Sequence, residues 1–387
     1  MSSALHDLRI LDFSRVLAGP FATMMLADLG ATVLKVERGG PDGAGDDTRA
    51  WGPPFDAAGE ATYFQAVNRN KTSVVLDLRD DGDRDHARRL AGEADVIVEN
   101  FRPGVMDGLE LGYDALAADR PGLVYCSITG FGRGAGAALP GYDLLLQAVG
   151  GLMSVTGEPD GEPQKVGVAL VDVLAGLFAT VGILAALRHR EETGQGQRVE
   201  VDLLSSLLAA LVNQASAFTA GGTVARRMGN QHPSIAPYAL YPTAEGELVL
   251  AVGTDRQFAA LCAVLGRDAL PGDPRFAGNG ARVAHRDALR EVLVAALATR
   301  PAAEWAALLT AARVPAGVVN DVGEAFALAG ALGLDPVVAL PRPGGGETAL
   351  VRNPIGLSRT PPAYRSAPPP FAPGVRPLPG WPVPPSH

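Results

Sequence analysis

Short apolar, β-branched runs alternate with helix-length segments along the first half of the chain. "LRILDF" leads into "FATMMLADLG" and "ATVLKVE", and "TSVVLDL", "ADVIVE" and "LVYCSI" follow later. Runs of this kind suit strands buried on both faces, and the segments between them suit crossover helices. The pattern therefore predicts a large α/β domain on a parallel sheet. From Val166 to Leu187 the chain is almost unbroken apolar sequence, "VGVALVDVLAGLFATVGILAAL", with one carboxylate, Asp172, near its front. A helix over 173–189 fits that content. "TGQGQRVEVDLL" then reads as a loop and short strand, and "LLSSLLAALVNQASAFTAGG" as a second long helix stopped by glycines.

From Gly229 to Val322 the rhythm changes. "GELVLAVG", "RQFAALCAVLG", "RDALREVLVAALATR" and "PAAEWAALLTAARVPAGVV" suggest a strand and several helices, hence a smaller α+β domain. Beyond Leu332 the chain turns proline-rich, and "RTPPAYRSAPPPFAPGVRPLPGWPVPP" reads as an extended tail, docked by its aromatics or disordered. The expected division is 1–228 for the large domain, 229–322 for the small one, and 323–387 for a segment that returns to the large domain and ends in the tail.

Composition narrows the function. A formal charge of −9 argues against a nucleic-acid partner, which would need a basic face. The two cysteines, Cys126 and Cys262, sit in apolar runs and read as buried thiols of a reducing, cytoplasmic compartment. Six histidines without ligand spacing predict no structural metal. The apolar run around Asp172 reaches the length of a membrane span, but an acid inside a span is costly and no leader-like start accompanies it, so no membrane partner is expected. Two readings of Asp172 remain from the residues alone: an N-cap for the helix behind it, or an acid placed for chemistry. "ITGFGRGAG" after a strand looks like a phosphate loop. Ala135 and Ala137 miss the third glycine, however, and Pro140 delays the helix to about Tyr142, against a dinucleotide fingerprint.

Several long motifs, in order, resemble the family III CoA-transferases, a group that includes formyl-CoA transferase, carnitine CoA-transferase and the α-methylacyl-CoA racemases. They are "LDFSRVLAGPFATMMLADLGATVLKVER", "DDTRAWGPPF", "NRNKTSVVLDLR", "VIVENFRPGV", "YCSITGFG", "LPGYDLLLQAVGGLMSVTGEPDG" and "VGVALVDVLAGLFATVGILAALRHREETGQGQ". "YPTAEGELVLAVGTDRQFAAL" and "VPAGVVNDV" extend the resemblance over nearly the whole chain. Within the family, "GPFATMMLADLG" and "HPSIAPY" look most similar to the succinyl-CoA:glutarate branch.

The resemblance implies that Asp172 is the catalytic residue. A carboxylate ionised at neutral pH needs no general base, so it can attack an acyl-CoA thioester directly. The implied reaction moves CoA from a donor such as succinyl-CoA to a small acid, by expectation a dicarboxylate, through an aspartyl anhydride and an aspartyl-CoA thioester. No tightly bound cofactor is expected; CoA enters as substrate. The racemase alternative needs a second acid/base group, for which the family supplies a histidine in "GHD". This chain has "GYD", and the phenol of Tyr142, with an ordinary pKa of about 10, suits that role poorly. A non-catalytic CoA-binding paralogue is the other alternative, and the presence of Asp172 argues against it.

Further positions follow by resemblance. Asp143 lines the acyl site and orients an intermediate, or it is an N-cap of "LLLQAVGGLM". CoA is expected at Val16 and Ala18, at Arg38, at Leu76, Asp77, Leu78 and Arg79, and at Asn100, Phe101 and Arg102. Leu17 and Gly108 replace residues of formyl-CoA transferase that serve the acyl group and CoA, which speaks against oxalate or formate. The family's mobile glycine loop corresponds to "MGNQHPSIAPY". With Gly229 alone it reads as a shorter, stiffer lid around Asn230, Gln231 and His232. His232 meets a distal carboxylate or bonds to backbone, and Trp51 walls the acyl pocket or packs its own loop. The resemblance also implies a homodimer of interlocked, ring-shaped subunits.

Overall fold

A computed structural model describes residues 3–41, 43–372 and 381. The apolar runs become β1 (Arg9–Asp12), β2 (Thr32–Arg38), β3 (Lys71–Leu76), β4 (Val96–Glu99), β5 (Val124–Thr129) and β6 (Arg198–Asp202). They form one six-stranded sheet in the order β3-β2-β1-β4-β5-β6. Each pairing is parallel, with Ile10 of β1 set between Val33 of β2 and Val96 of β4. The order turns outward in both directions from β1 and β4. In such sheets the loops leaving the two central strands diverge, and their carboxyl ends open a crevice for ligands.

Both faces of the sheet are covered. On one side Val33, Val98 and Cys126 pack with Leu26 of helix Ala18–Asp28 and with Ala175, Ala179 and Ile183 of helix Leu170–Thr193. On the other, Leu34, Ile97 and Tyr125 meet Ala87 and Leu90 of helix Asp81–Glu93. Gly176 lets the first two helices touch, because a Cβ there would stand 2.6 Å from the Ala18 carbonyl oxygen.

The Leu170–Thr193 helix starts three residues earlier than its apolar content suggests. Ala169 is its cap and Asp172 lies inside the first turn, so Asp172 is not the N-cap. The expected second long helix is two, Leu203–Ala210 and Val212–Thr219, because Val212 takes a left-handed conformation (φ 40°) that an α-helix cannot continue through.

The described residues of Met1–Leu152, Val166–Thr223 and Asp335–His387 make one compact unit, and Met153–Lys165 with Val224–Leu334 make a second. The 229–322 segment lies within the second unit, which is α+β. Its β7 (Tyr238–Pro242), β8 (Glu247–Ala251) and β9 (Ala316–Val318) form an antiparallel sheet. Phe258, Leu293 and Trp305 from its helices pack with Leu248 and Leu250 of that sheet.

The proline-rich end is more structured than an extended tail. It opens with a hairpin, β10 (Val337–Pro341) and β11 (Glu347–Val351). The 363–371 stretch then docks on the parallel-sheet unit. Arg365 donates to the carbonyls of Ala27, Gly30 and Ala31, in the last turn of helix Ala18–Asp28 and just beyond it. Phe371 lies 5.5 Å from the Arg49 guanidinium. The tail beyond 372, apart from Trp381, lies outside the described residues.

Candidate active site

The crevice at the ends of β1 and β4 begins with a reciprocal clasp. Asn100 accepts from the Arg15 backbone N–H (2.8 Å) and donates to the Arg15 carbonyl (2.7 Å). The next residue, Val16, is held at φ 69°, a conformation costly for a β-branched side chain. Its N–H donates to Asp46 Oδ1 (3.3 Å).

Behind this loop lies a buried charge cluster that reading the strands as apolar runs had missed. Lys35 of β2 pairs with Asp46 (2.8 Å) and donates to the Ser14 carbonyl (2.8 Å). Lys71 of β3 reaches Asp12 of β1 (3.1 Å) and the Pro20 carbonyl (2.9 Å). Burial acts against Asp12, yet Lys71 and Lys35, with Ser14 and Thr23, hold its carboxyl below the usual range. For Lys71 burial wins, and the ammonium is lowered to about 8 despite Asp12.

In front of the loop is a cavity of about 490 Å³. Val16, Leu17 and Ala18 line it from the segment after β1, and Asn100, Phe101 and Arg102 from the segment after β4. Tyr142 and Asp172 close it, with the glycine-rich 130–141 loop, which leads to helix Asp143–Val149 and makes a wall of the cavity. Gly130 and Gly141 fold this loop back on itself, each occupying the space a Cβ of the other would need, at 2.6 Å. A second cavity, of about 520 Å³, is lined by Arg38, Leu76, Asp77, Leu78, Arg79, Phe101 and Gly108. Arg79 grips Asp77 with two nitrogens (2.9 and 3.0 Å) and lowers its pKa.

Asp172 is half-buried, and among the described residues nothing donates a hydrogen bond to its carboxylate. Burial first, and then the negative charge of Asp143, pushes its pKa up to about 7. This revises the expectation of a carboxylate fully ionised at neutral pH. Asp143 is not the N-cap of its own helix; Tyr142 is. Its Oδ1 instead accepts the backbone N–H groups of Val171 (2.8 Å) and Asp172 (3.3 Å), so Asp143 caps the Leu170–Thr193 helix from outside. Gln147 donates to Asp143 Oδ2 (2.6 Å) and accepts from the Val166 N–H (2.8 Å), tying the approach to Asp172 onto the same carboxylate.

Tyr63 was missed by sequence reasoning altogether. Burial, then the charges of Asp172, Asp143 and Asp46, raise its phenol, which places it in their electrostatic reach. Trp51 packs edge-on against it (5.4 Å between centroids) and is not part of the cavity lining. Gly229, Asn230 and His232 belong to the second unit. There the Gly229 N–H donates to the Gly157 carbonyl (3.0 Å), and Asn230 is exposed. The His232 ring lies 5.2 Å from that of Tyr238, with Nδ1 accepting from the Ser234 N–H (3.0 Å).

Comparison with known proteins shows the family. The CoA-transferase family III model matches residues 5–372. The chain belongs to the family III CoA-transferases, and it is a transferase. A succinate–glutarate CoA-transferase of Agrobacterium fabrum is 44% identical over 371 residues, covering 93% of this chain and 91% of the relative. An acetyl-CoA:oxalate CoA-transferase of Acetobacter aceti is 43% identical over 320 residues, 82% of this chain and 81% of the relative. A crystal structure of a CaiB/BaiF family protein from Brucella suis superposes with a TM-score of 0.83 at 42% identity, covering 96% of this CoA-transferase and 97% of that chain.

Proposed function

We propose that this CoA-transferase moves CoA from succinyl-CoA to a small dicarboxylate, with Asp172 as the nucleophile. The observation that carries the reading is a carboxylate that has no counter-ion among the described residues, its pKa pushed up to about 7, in the lining of a cavity large enough for an acyl group. Asp172 attacks the thioester carbonyl, the C–S bond breaks, and CoA leaves as thiolate with an aspartyl anhydride in place. The thiolate attacks the aspartyl carbonyl, releasing succinate and leaving an aspartyl-CoA thioester. The acceptor carboxylate attacks that thioester, the C–S bond breaks and CoA thiolate leaves a second anhydride, whose acceptor-side carbonyl the thiolate then attacks, giving the new CoA ester and freeing Asp172 as carboxylate.

In each acyl-aspartyl state the Asp172 carboxyl itself carries no charge, the distal carboxylate of the diacid remaining ionised, so acylation relieves the buried charge at Asp172 that Asp143 opposes. Asp143, holding the helix start through two backbone N–H groups, fixes the direction of attack. Helix Ala18–Asp28 starts at the cavity wall with Ala18, and because Pro20 has no N–H and Phe21 bonds to the Leu17 carbonyl (2.8 Å), the Ala18 and Gly19 amides are the first-turn groups that suit a developing oxyanion. CoA serves as substrate, with no tightly bound cofactor. The nucleotide end takes the Arg38 and Leu76–Arg79 cavity, and the free buried thiols suit a cytoplasmic setting. A homodimer is part of the reading, supported by apolar residues left exposed on adjoining helices: Phe178, Val181, Leu208 and Phe218.

Dicarboxylate acceptors are supported by the names of the two relatives, whose glutarate and oxalate are both diacids. Incubation with succinyl-CoA and a panel of mono- and dicarboxylic acids, with mass detection of new CoA esters, tests the function. Glutarate-like diacids should exceed monoacids of equal length in kcat/KM. Equal efficiency with butyrate-like acids removes the distal-carboxylate part, and an empty panel removes the transfer itself.

A further inference from the structure

The two cavities share a wall. Arg15, Phe101 and Val105 line both of them, so a ligand that occupies one and reaches into the other passes these three side chains. Phe101 and Val105 offer apolar surface, and Arg15 alone offers charge. Its backbone is fixed by the Asn100 clasp, and its guanidinium lies 5.0 Å from the centre of the Phe101 ring.

Asp47 stands between this guanidinium and that of Arg38. Its Oδ2 is 3.4 Å from Arg15 Nη1 and its Oδ1 3.5 Å from Arg38 Nη2. Both distances are long for charge-assisted hydrogen bonds. The side chains are 32% exposed for Arg15, 37% for Asp47 and 49% for Arg38, so solvent screens the pairs and they hold weakly. One carboxylate thus bridges two arginines with one oxygen each, an arrangement that a more highly charged anion with more oxygens would satisfy better.

We propose that Arg15 is a CoA-binding residue that takes the diphosphate together with Arg38, and that Asp47 is the internal anion with which that diphosphate competes. The proposal rests on the CoA-transfer reading above. In an acyl-CoA the diphosphate lies between the nucleoside and the pantetheine arm. With the nucleoside in the Arg38 cavity and the thioester at Asp172, it falls at the shared wall.

Kinetics with three donors, succinyl-CoA, succinyl-dephospho-CoA and succinyl-pantetheine, and glutarate as acceptor, test it. Dephospho-CoA keeps the diphosphate and lacks the ribose phosphate, whereas pantetheine lacks the whole nucleotide. Arg15→Gln should raise KM for the first two by ~10-fold or more and leave KM and kcat with succinyl-pantetheine within ~2-fold. Equal losses on all three would make Arg15 a support for its loop, and no loss would remove it from the ligand; both overturn the proposal. A loss confined to succinyl-CoA would move Arg15 to the ribose phosphate and overturn the diphosphate assignment. Asp47→Asn, which removes the competing charge, should bind CoA severalfold more tightly, and weaker binding would overturn the role given to Asp47. Calorimetric CoA binding by the native and Arg15→Gln proteins keeps the two readings apart. A native protein that binds CoA yet transfers it to no acid sinks the transfer reading, while the binding difference still judges Arg15.

Discussion

Buried charge is handled in opposite ways on the two sides of the Val16 loop. Behind it, Asp12 and Asp46 each meet a lysine ammonium, at 3.1 and 2.8 Å. In front of it, the charge acting on Asp172 is another carboxylate, that of Asp143. The consequences run in opposite directions: Asp12 and Asp46 are held below their usual values, and Asp172 is pushed up to about 7. Paired buried charges fix a strained loop in place. An unpaired one remains available, because whatever removes its charge is favoured. Scaffold and proposed nucleophile thus use the same side-chain chemistry and differ in what faces it.

Neutralising the unpaired side should give the largest effect. Asp172→Asn should cut transfer on the order of 10^4-fold or more, since an amide cannot form the anhydride. The melting temperature should not fall, because Asp172 is not the helix N-cap and forms no ion pair among the described residues. Thermal melts alongside transfer assays check both halves, and a large loss of stability would mean that the contrast with the lysine cluster is misdrawn.

Breaking the paired side should act on stability instead. Lys71→Met takes the paired ammonium from the buried Asp12, leaving Lys35, Ser14 and Thr23, and should cost about 3–5 kcal/mol in urea unfolding. A cost well below ~1 kcal/mol would show that the cluster is not compensated by its pairs.

The chain's pattern made the scaffold legible before the site. Apolar, β-branched runs foretold five of the six parallel strands, the sixth reading only as a short strand, and a lone acid in the longest apolar run drew attention to Asp172. Less visible was what depends on tertiary approach. Lys35 and Lys71 sit in strand sequences where a lysine ordinarily suggests an edge or a wet face, and only the partners Asp46 and Asp12 explain their burial. Asp143 opens its own helix, and nothing local says that its oxygens serve a helix starting at Leu170. Tyr63 lies in a four-residue helix, Thr62–Gln65, with no motif around it. The β10–β11 hairpin did carry a signal, alternating runs flanking "PGGGE", but the surrounding prolines concealed it. The break at Val212 carried none, because valine is a poor residue for a left-handed position.

A smaller effect sharpens the comparison through pH. The nucleophile is the ionised form, so kcat/KM should rise as pH passes through about 7 and then level off. Asp143→Asn removes the charge that helps raise Asp172 and keeps an oxygen for the N–H groups of Val171 and Asp172. The rising limb should therefore move to lower pH, with only a modest loss of the plateau rate. A limb that stays put would assign the raised pKa to burial alone, and one that moves to higher pH would reverse the sign of the Asp143 effect.

The central claim is that Asp172 itself becomes acylated. Hydroxylamine added during turnover with succinyl-CoA and glutarate should cleave the acyl-aspartyl states and leave a hydroxamate on the peptide that carries Asp172, detected by peptide mass. The account predicts that mark at Asp172, dependent on succinyl-CoA and lost in Asp172→Asn. A native enzyme that transfers CoA at full rate while its Asp172 peptide stays unmodified would contradict it.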